Sequence, residues 1–159
     1  MVGITTATSP EEDHTVASRD DAAAWNEAII ADFRAHAGQI TTGPMAGATL
    51  ILLTTIGAKS GEPRITPVAF TRDEERYVIV GSNRGLPTDP AWLANLRAHP
   101  EVTVEVGPER FEARAVVTSG AERRRLFDAH AATMPNFAEY ERTTEREIPV
   151  VTLERIRQG

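Results

Sequence analysis

The residues best suited to chemistry stand between two apolar runs. Lys59, Ser60 and Arg64 lie in Gly57-Ala58-Lys59-Ser60-Gly61-Glu62-Pro63-Arg64, between residues 49–56 and a stretch running to Thr71. Glycines let a backbone approach a ligand closely, and Lys and Arg supply charge, so this loop suits an anion. On composition alone an ordinary polar hairpin turn is the commoner explanation. Lys59 is the only lysine among 17 basic residues. A second loop, Ser82-Asn83-Arg84-Gly85, leads to a helix start at Pro90. Free N–H groups at a helix N-terminus also favour anions, although Asp89 competes for them.

Other chemistries are poorly served. The 159 residues include no cysteine, which removes disulfides, Cys-ligated metals and a thiol nucleophile, and fits a reducing, cytoplasmic setting. No nucleophile elbow, phosphate loop or dinucleotide fingerprint occurs. His14, His36, His99 and His130 have no metal-ligand spacing, so no metal site is expected. The net charge of −6 argues against nucleic-acid binding. The acid is uneven: residues 1–58 hold two arginines against seven acids, whereas residues 59–97 carry six bases against five. No secretory signal is read at the N-terminus, and the most apolar run, Leu50-Ile51-Leu52-Leu53, is far too short to span a bilayer.

The elements that must position these loops follow from patterning. Residues 1–18 read as a flexible tail and 19–159 as one domain. Ser18 or Asp20 caps a helix to about His36, with Gly38 as its stop and Trp25, Ile29 and Phe33 as one apolar stripe. That stripe is read as packing on the domain, with an interfacial or lid helix as the alternative. Strands are expected at 49–56, 64–71 and 76–82 as an antiparallel meander, with Pro67 placing its strand at an edge or bulge. Asp89 caps a short helix with Pro90 at its first position. Strands at 102–106 and 111–117, a helix opened by a Ser119–Glu122 capping box, a short helix around Phe137 and Tyr140, and a last strand from Ile148 to Leu153 complete the chain. The fold class is α+β: a barrel of about six mostly antiparallel strands with an N-terminal helix and short inserted helices.

These residues carry a family resemblance. Leu53 to Gly61, Pro63-Arg64-Ile65-Thr66-Pro67-Val68, Gly81-Ser82-Asn83, Pro90 to Leu96 and Thr143 to Val150 follow in an order that resembles the deazaflavin-dependent nitroreductase family, actinobacterial oxidoreductases that use coenzyme F420. The match runs from about residue 22 to 154. The resemblance implies a split β-barrel, with the loop and following strand holding the deazaflavin. It implies that Ala58, Lys59, Ser60 and Arg64 hold the phosphate of the cofactor tail, that Thr66, Pro67 and Val68 line the ring, and that Ile65 is a further cofactor-binding residue. Val80, Gly81, Ser82 and Asn83 would lie on its other edge, and Ala91, Trp92 and Asn95 near the tail, with core packing as the equal alternative for Trp92.

The implied activity is hydride transfer from the reduced cofactor to an electron-poor acceptor: an enone or unsaturated lactone, a quinone or a nitroaromatic. Tyr140 is the candidate to position or protonate the substrate, Ser82 the weaker one. The alternative for Tyr140 is a helix residue covering the barrel. Met134, Phe137 and Tyr140 would line the acceptor site. Family members that reduce nitroimidazoles have several tyrosines in the stretch equivalent to 134–140; Met134 and Phe137 make this pocket less polar. A lysine common near Thr88 in the family is also absent. An FMN- or haem-binding split barrel, or a non-catalytic deazaflavin-binding protein, are the other readings. A hydrophobic small-molecule acceptor is the expected partner. Peripheral contact of the first helix with a membrane stays open, opposed by Asp20, Asp21, Glu27 and Asp32.

Overall fold

The computed structural model describes residues 15–43, 46–48 and 50–156, with side chains from residue 24 onward except that of residue 84. Residues 1–14 of the expected tail lie outside the described residues. Helix α1 (Thr15–Ala35) already begins before the expected caps. Seven strands follow: β1 (Leu50–Ile56), β2 (Pro63–Ala69), β3 (Thr71–Asp73), β4 (Arg76–Val80), β5 (Glu101–Val106), β6 (Glu109–Val117) and β7 (Val150–Arg155). Helices α2 (Ala91–Ala98), α3 (Gly120–Thr133) and α4 (Asn136–Thr143) and a 3-10 turn at Asn83–Gly85 are set between them.

The strands form one sheet in the order β2-β1-β5-β6-β7-β4-β3, every neighbour antiparallel. β2 and β3 are its opposite edges, yet only Phe70 separates them in the chain. Successive Cα atoms are about 3.8 Å apart, so the two edges must meet and the sheet must curl into a barrel. Residues 63–73 are one long strand that changes neighbours at Phe70. That is why seven strands are found among the described residues rather than six, and why the expected meander is made in two halves: β1 pairs with β2 before Phe70 and β4 pairs with β3 after it, while β4 takes β7 as its other neighbour. Pro67 sits on the edge strand opposite Leu52, where its missing N–H costs no ladder bond.

The register divides the side chains between two faces. Ile51, Leu53, Tyr77, Ile79, Val102, Val104, Ala113, Val151 and Leu153 fill the barrel, and Trp92, Leu93 and Leu96 of α2 join them. On the outer face α1 lays Ile29 and Phe33 over Leu50 and Leu52, while α3 lays Leu126 and Phe127 over Val78, Val80 and Val150. Trp25 departs from the expected stripe, being 46% exposed. An ion pair holds α1 down. Arg34 donates Nε to Glu105 Oε1 (3.0 Å) and Nη2 to Oε2 (2.7 Å), although Glu105 is buried in β5. Gly38 ends the helical turn as expected, at φ +94° with its N–H on Phe33 O. A Cβ there would stand 2.5 Å from Gly107 Cα, so the turn requires glycine.

Two expected caps are absent because their acids are drawn to arginines. Ser119 precedes α3 without a side-chain capping bond, and Glu122 pairs with Arg76 at 3.2 Å. Pro90 itself takes the N-cap position of α2, while Asp89 pairs with Arg146 at 2.7 Å. Because neighbouring strands are antiparallel, β1, β4 and β6 all end at the same end of the barrel. The loops at 57–62 and 81–90 therefore share that end with the segment 144–149 that precedes β7.

His130 of α3 is wholly buried on the outer face. Its Nδ1 meets Thr71 Oγ1 at 2.9 Å, its Nε2 has no partner, and Phe137 stands edge-on to its ring with centroids 4.5 Å apart. Burial holds the imidazole neutral, with its pKa lowered from 6.5 to about 4. A base depressed in the fold stabilises fully above its unfolded pKa and loses that contribution as pH falls. The stability of the wild type is therefore expected to drop by roughly 3 kcal/mol between pH 6.5 and 4 beyond what other groups cause. Denaturant unfolding at stepped pH checks this: His130→Leu should lose that slope, and an unchanged slope contradicts it.

Candidate active site

The loop after β1 is fixed by its own atoms. Gly57 N–H donates to Glu62 O (2.8 Å) and Gly61 N–H to Gly57 O (2.9 Å). Gly61 takes φ +73°, which glycine adopts at little cost. Ser60 Oγ accepts the Glu62 N–H at 3.1 Å and packs so closely on Gly57 that a Cβ there would be 2.4 Å away. Ser60 thus braces the loop from within.

Asn95 of α2 ties this loop to the barrel. Its Oδ1 accepts the Ala58 N–H (2.9 Å) and its Nδ2 donates to Thr55 Oγ1 (3.1 Å). Thr55 is fully buried, so the Asn95 contact also satisfies a hydroxyl cut off from water. The Ala58 amide is therefore engaged by Asn95. Lys59 and Arg64 are both exposed and form no ion pair or hydrogen bond among the described residues. Arg34, Arg76, Arg124 and Arg125, by contrast, are each paired with an acid. Arg72 on β3, Arg97 on α2 and Arg110 on β6 also lack acid partners, and Arg72 donates to Glu74 O instead.

The second loop starts at Gly81, whose N–H donates to Pro149 O at 2.9 Å. A Cβ on Gly81 would lie 3.0 Å from Pro149 Cγ and 3.3 Å from Pro90 Cδ, between two rigid rings. Pro90 in turn starts α2, so one helix touches both loops. Asn83 takes φ +48° and donates Nδ2 to Thr88 O at 3.0 Å, closing residues 83–88 into a compact turn. Ser82 is 5% exposed and begins the 3-10 turn without a side-chain capping bond.

Arg146, which the sequence offered no reason to single out from its motif, gathers this loop. Nε donates to Leu86 O (3.1 Å), Nη1 to Asp89 Oδ1 (2.7 Å), and Nη2 to Gly81 O (3.1 Å) and Ser82 O (2.8 Å). Helix α4 closes over the same loop. A Cβ on Gly85 would meet Thr143 Oγ1 at 2.9 Å and Tyr140 Cδ1 at 3.4 Å. Tyr140 OH accepts from Asn136 Nδ2 at 3.3 Å and the residue is half-buried.

The remaining expected site residues divide between faces. Thr66 pairs with Leu53 and, with Arg64 and Val68, lies on the barrel-interior side of β2, where Val68 packs on the core. Ile65 and Pro67 lie on the outer side, where Ile65 packs on the α1 cluster. Val80 is buried under α3 and Trp92 in the barrel, both as core residues, while Ala91 is exposed. Phe137 is turned onto His130, and Met134 caps the end of α3 and is half-buried. Among the described residues no cluster of His, Cys, Asp and Glu suits a metal, and no helix is long and apolar enough to cross a membrane.

A family model described as F420H(2)-dependent quinone reductase matches residues 26–155. An F420H(2)-dependent quinone reductase of Mycobacterium tuberculosis (strain ATCC 25618 / H37Rv) is 40% identical over 108 residues, covering 66% of this chain and 72% of that protein. A solved F420-H2 dependent reductase, FDR-A, is 34% identical, covers 67% of this chain and 94% of its own, and superposes with a TM-score of 0.62. The heme storage protein HutZ from Vibrio cholerae is 15% identical with a TM-score of 0.54, a likeness of fold alone. The chain belongs to the F420H(2)-dependent quinone reductase family, split-barrel oxidoreductases that work with reduced coenzyme F420.

Proposed function

We propose that this protein reduces a hydrophobic quinone-type acceptor with coenzyme F420 held at the end of the barrel where β1 and β4 terminate. The observation that carries the reading is the cation pair Lys59 and Arg64. Lys59 stands on the loop after β1 and Arg64 at the start of β2, both exposed and unpaired among the described residues of a protein with net charge −6. Charges left unpaired on an internally braced loop are ready for an anionic ligand at small entropic cost. The residues fit the cofactor, whose tail carries a phosphodiester and glutamates. With the Ala58 N–H and Ser60 Oγ already engaged, Lys59 and Arg64 bear the attraction to the tail, and Ala58 and Ser60 shape the loop.

Bound there, reduced coenzyme F420 supplies a hydride, so the acceptor needs one further proton to become a hydroquinone. Thr66 and Val68 on the inner side of β2, and Gly81, Ser82 and Asn83 opposite, would frame the ring. Helix α4 would hold the acceptor against it, with Met134 and Tyr140 at its edge. Tyr140, whose OH is held by Asn136, is the group that positions the acceptor oxygen or passes it the proton, with Ser82 as the second candidate. The single sheet supports reading residues 19–159 as one deazaflavin-binding domain. The chain's apolar acceptor site is compatible with a quinone drawn from a membrane, which makes peripheral membrane contact part of this reading; a cytoplasmic location is the setting it implies.

Titration of the protein with oxidised coenzyme F420 and with FMN, followed by fluorescence quenching, tests the proposal. Saturable binding of F420 but not FMN is expected, and the reverse preference contradicts it. Lys59→Ala should weaken F420 binding by about tenfold with kcat nearly unchanged, since it removes one charge-assisted contact remote from the reacting atoms. Asn95→Asp should still fold, because Thr55 can donate to the new carboxylate. It should nevertheless weaken F420 binding by placing a negative charge beside the loop, and affinity equal to wild type would count against the anion site. Tyr140→Phe should lower turnover by about tenfold or more while cofactor affinity stays within a factor of about three.

A further inference from the structure

We infer that Arg146 is a positioning residue: its guanidinium sets the shape of the loop at 81–89 and locks it to the connection between α4 and β7, so that the Ser82 side of the site and the Tyr140 helix move as one body. This inference rests on the proposed use of coenzyme F420 for its kinetic consequence, though not for its structural one. The geometry is specific to arginine. One planar fork donates in three directions, to Leu86 O, to Asp89 Oδ1, and to the paired carbonyls of Gly81 and Ser82. Its side chain is only 16% exposed, so these bonds are poorly replaced by water. Among the described residues the loop is otherwise held by the Asn83–Thr88 turn, the Gly81 N–H on Pro149 O, short 3-10 bonds at Gly85 and Leu86, and the packing of Tyr140 and Thr143 on Gly85. Leu86 is 46% exposed and provides no buried anchor.

The arginine reaches across the chain. It stands 65 residues from Gly81 and three residues after the last turn of α4, which packs Tyr140 and Thr143 on Gly85. Holding the carbonyls of Gly81 and Ser82 turns the peptide planes on either side, and so the direction of the Ser82 side chain. A lysine has one ammonium at the end of a flexible stem and cannot serve three directions at once. Cofactor affinity, on this account, comes mainly from Lys59 and Arg64, whereas Arg146 governs orientation at the reacting end. The two kinds of variant therefore split differently between binding and turnover.

Arg146→Lys and Asp89→Asn are compared with wild type by hydrogen exchange read by mass spectrometry and by F420 titration and turnover. The expected result is faster exchange confined to residues 81–89. F420 binding should keep its stoichiometry and stay within about threefold in Kd, while kcat at saturating cofactor falls about tenfold or more for Arg146→Lys and less for Asp89→Asn. Asp89→Asn keeps the carbonyl contacts and serves if Arg146→Lys does not fold. Unchanged exchange at 81–89, or a kcat equal to wild type, overturns the inference. If the wild type binds no F420, the functional proposal fails while the exchange result still decides whether Arg146 orders the loop.

Discussion

One covalent constraint organises the molecule. Strands at the two opposite edges of the sheet are consecutive in the chain, with Phe70 alone between them. The sheet has no freedom to stay open, and closing it brings the barrel interior, the α2 plug and the strand ends into one arrangement. The loops after β1 and β4 and the segment before β7 then gather at one end because antiparallel neighbours alternate in direction. Edge strands are usually a hazard for aggregation. Here the outer side of β2 is covered by α1 and the β3–β4 corner by α3, through Arg125 on Asp73 and Glu122 on Arg76.

At that end the backbone is held chiefly by side chains from elsewhere. Asn95 clamps the first loop from α2 and Arg146 clamps the second from the segment before β7. Both use side-chain groups to satisfy backbone atoms that no strand partner can reach, which is the usual requirement for an ordered loop. The outcome is a division of labour. Asn95, Ser60 and Arg146 are engaged in shaping the loops, whereas Lys59 and Arg64 have no partner among the described residues. A group already bonded within the loop has less to offer a ligand, so in the proposed site Ala58 and Ser60 build the loop that presents Lys59 and Arg64, and Asn95 anchors it.

Local patterns were legible. Gly57, Gly61 and Pro63 marked the first loop, Pro67 marked an edge, Gly38 marked a helix stop, and the valines of residues 102–106 marked a strand. What was hidden depends on distant partners. Asn95 lies 37 residues from Ala58 and Arg146 lies 65 from Gly81, and neither spacing leaves a periodic trace. Glu105 alternates in sequence with Val104 and Val106, yet it is buried and paired with Arg34, 71 residues away. Asp89 and Glu122 carry good capping chemistry, but a nearby arginine offers each a stronger, charge-assisted bond. The change of neighbours at Phe70 was unreadable for a simpler reason, since strand propensity says nothing about which edge a strand will join. The cofactor was legible through a set of short motifs in order rather than through any one of them.

Coenzyme F420 is proposed to bind at the end of the barrel where β1 and β4 terminate. Backbone amide shifts of the labelled protein, recorded while oxidised coenzyme F420 is added, test it most directly. Shifts are expected at residues 57–62, 64, 66, 68 and 81–83, with the opposite end around Gly38 and Gly107 silent. Shifts centred on Gly38, Gly107 or the outer face under α3, with the loop at 57–64 unaffected, would contradict it.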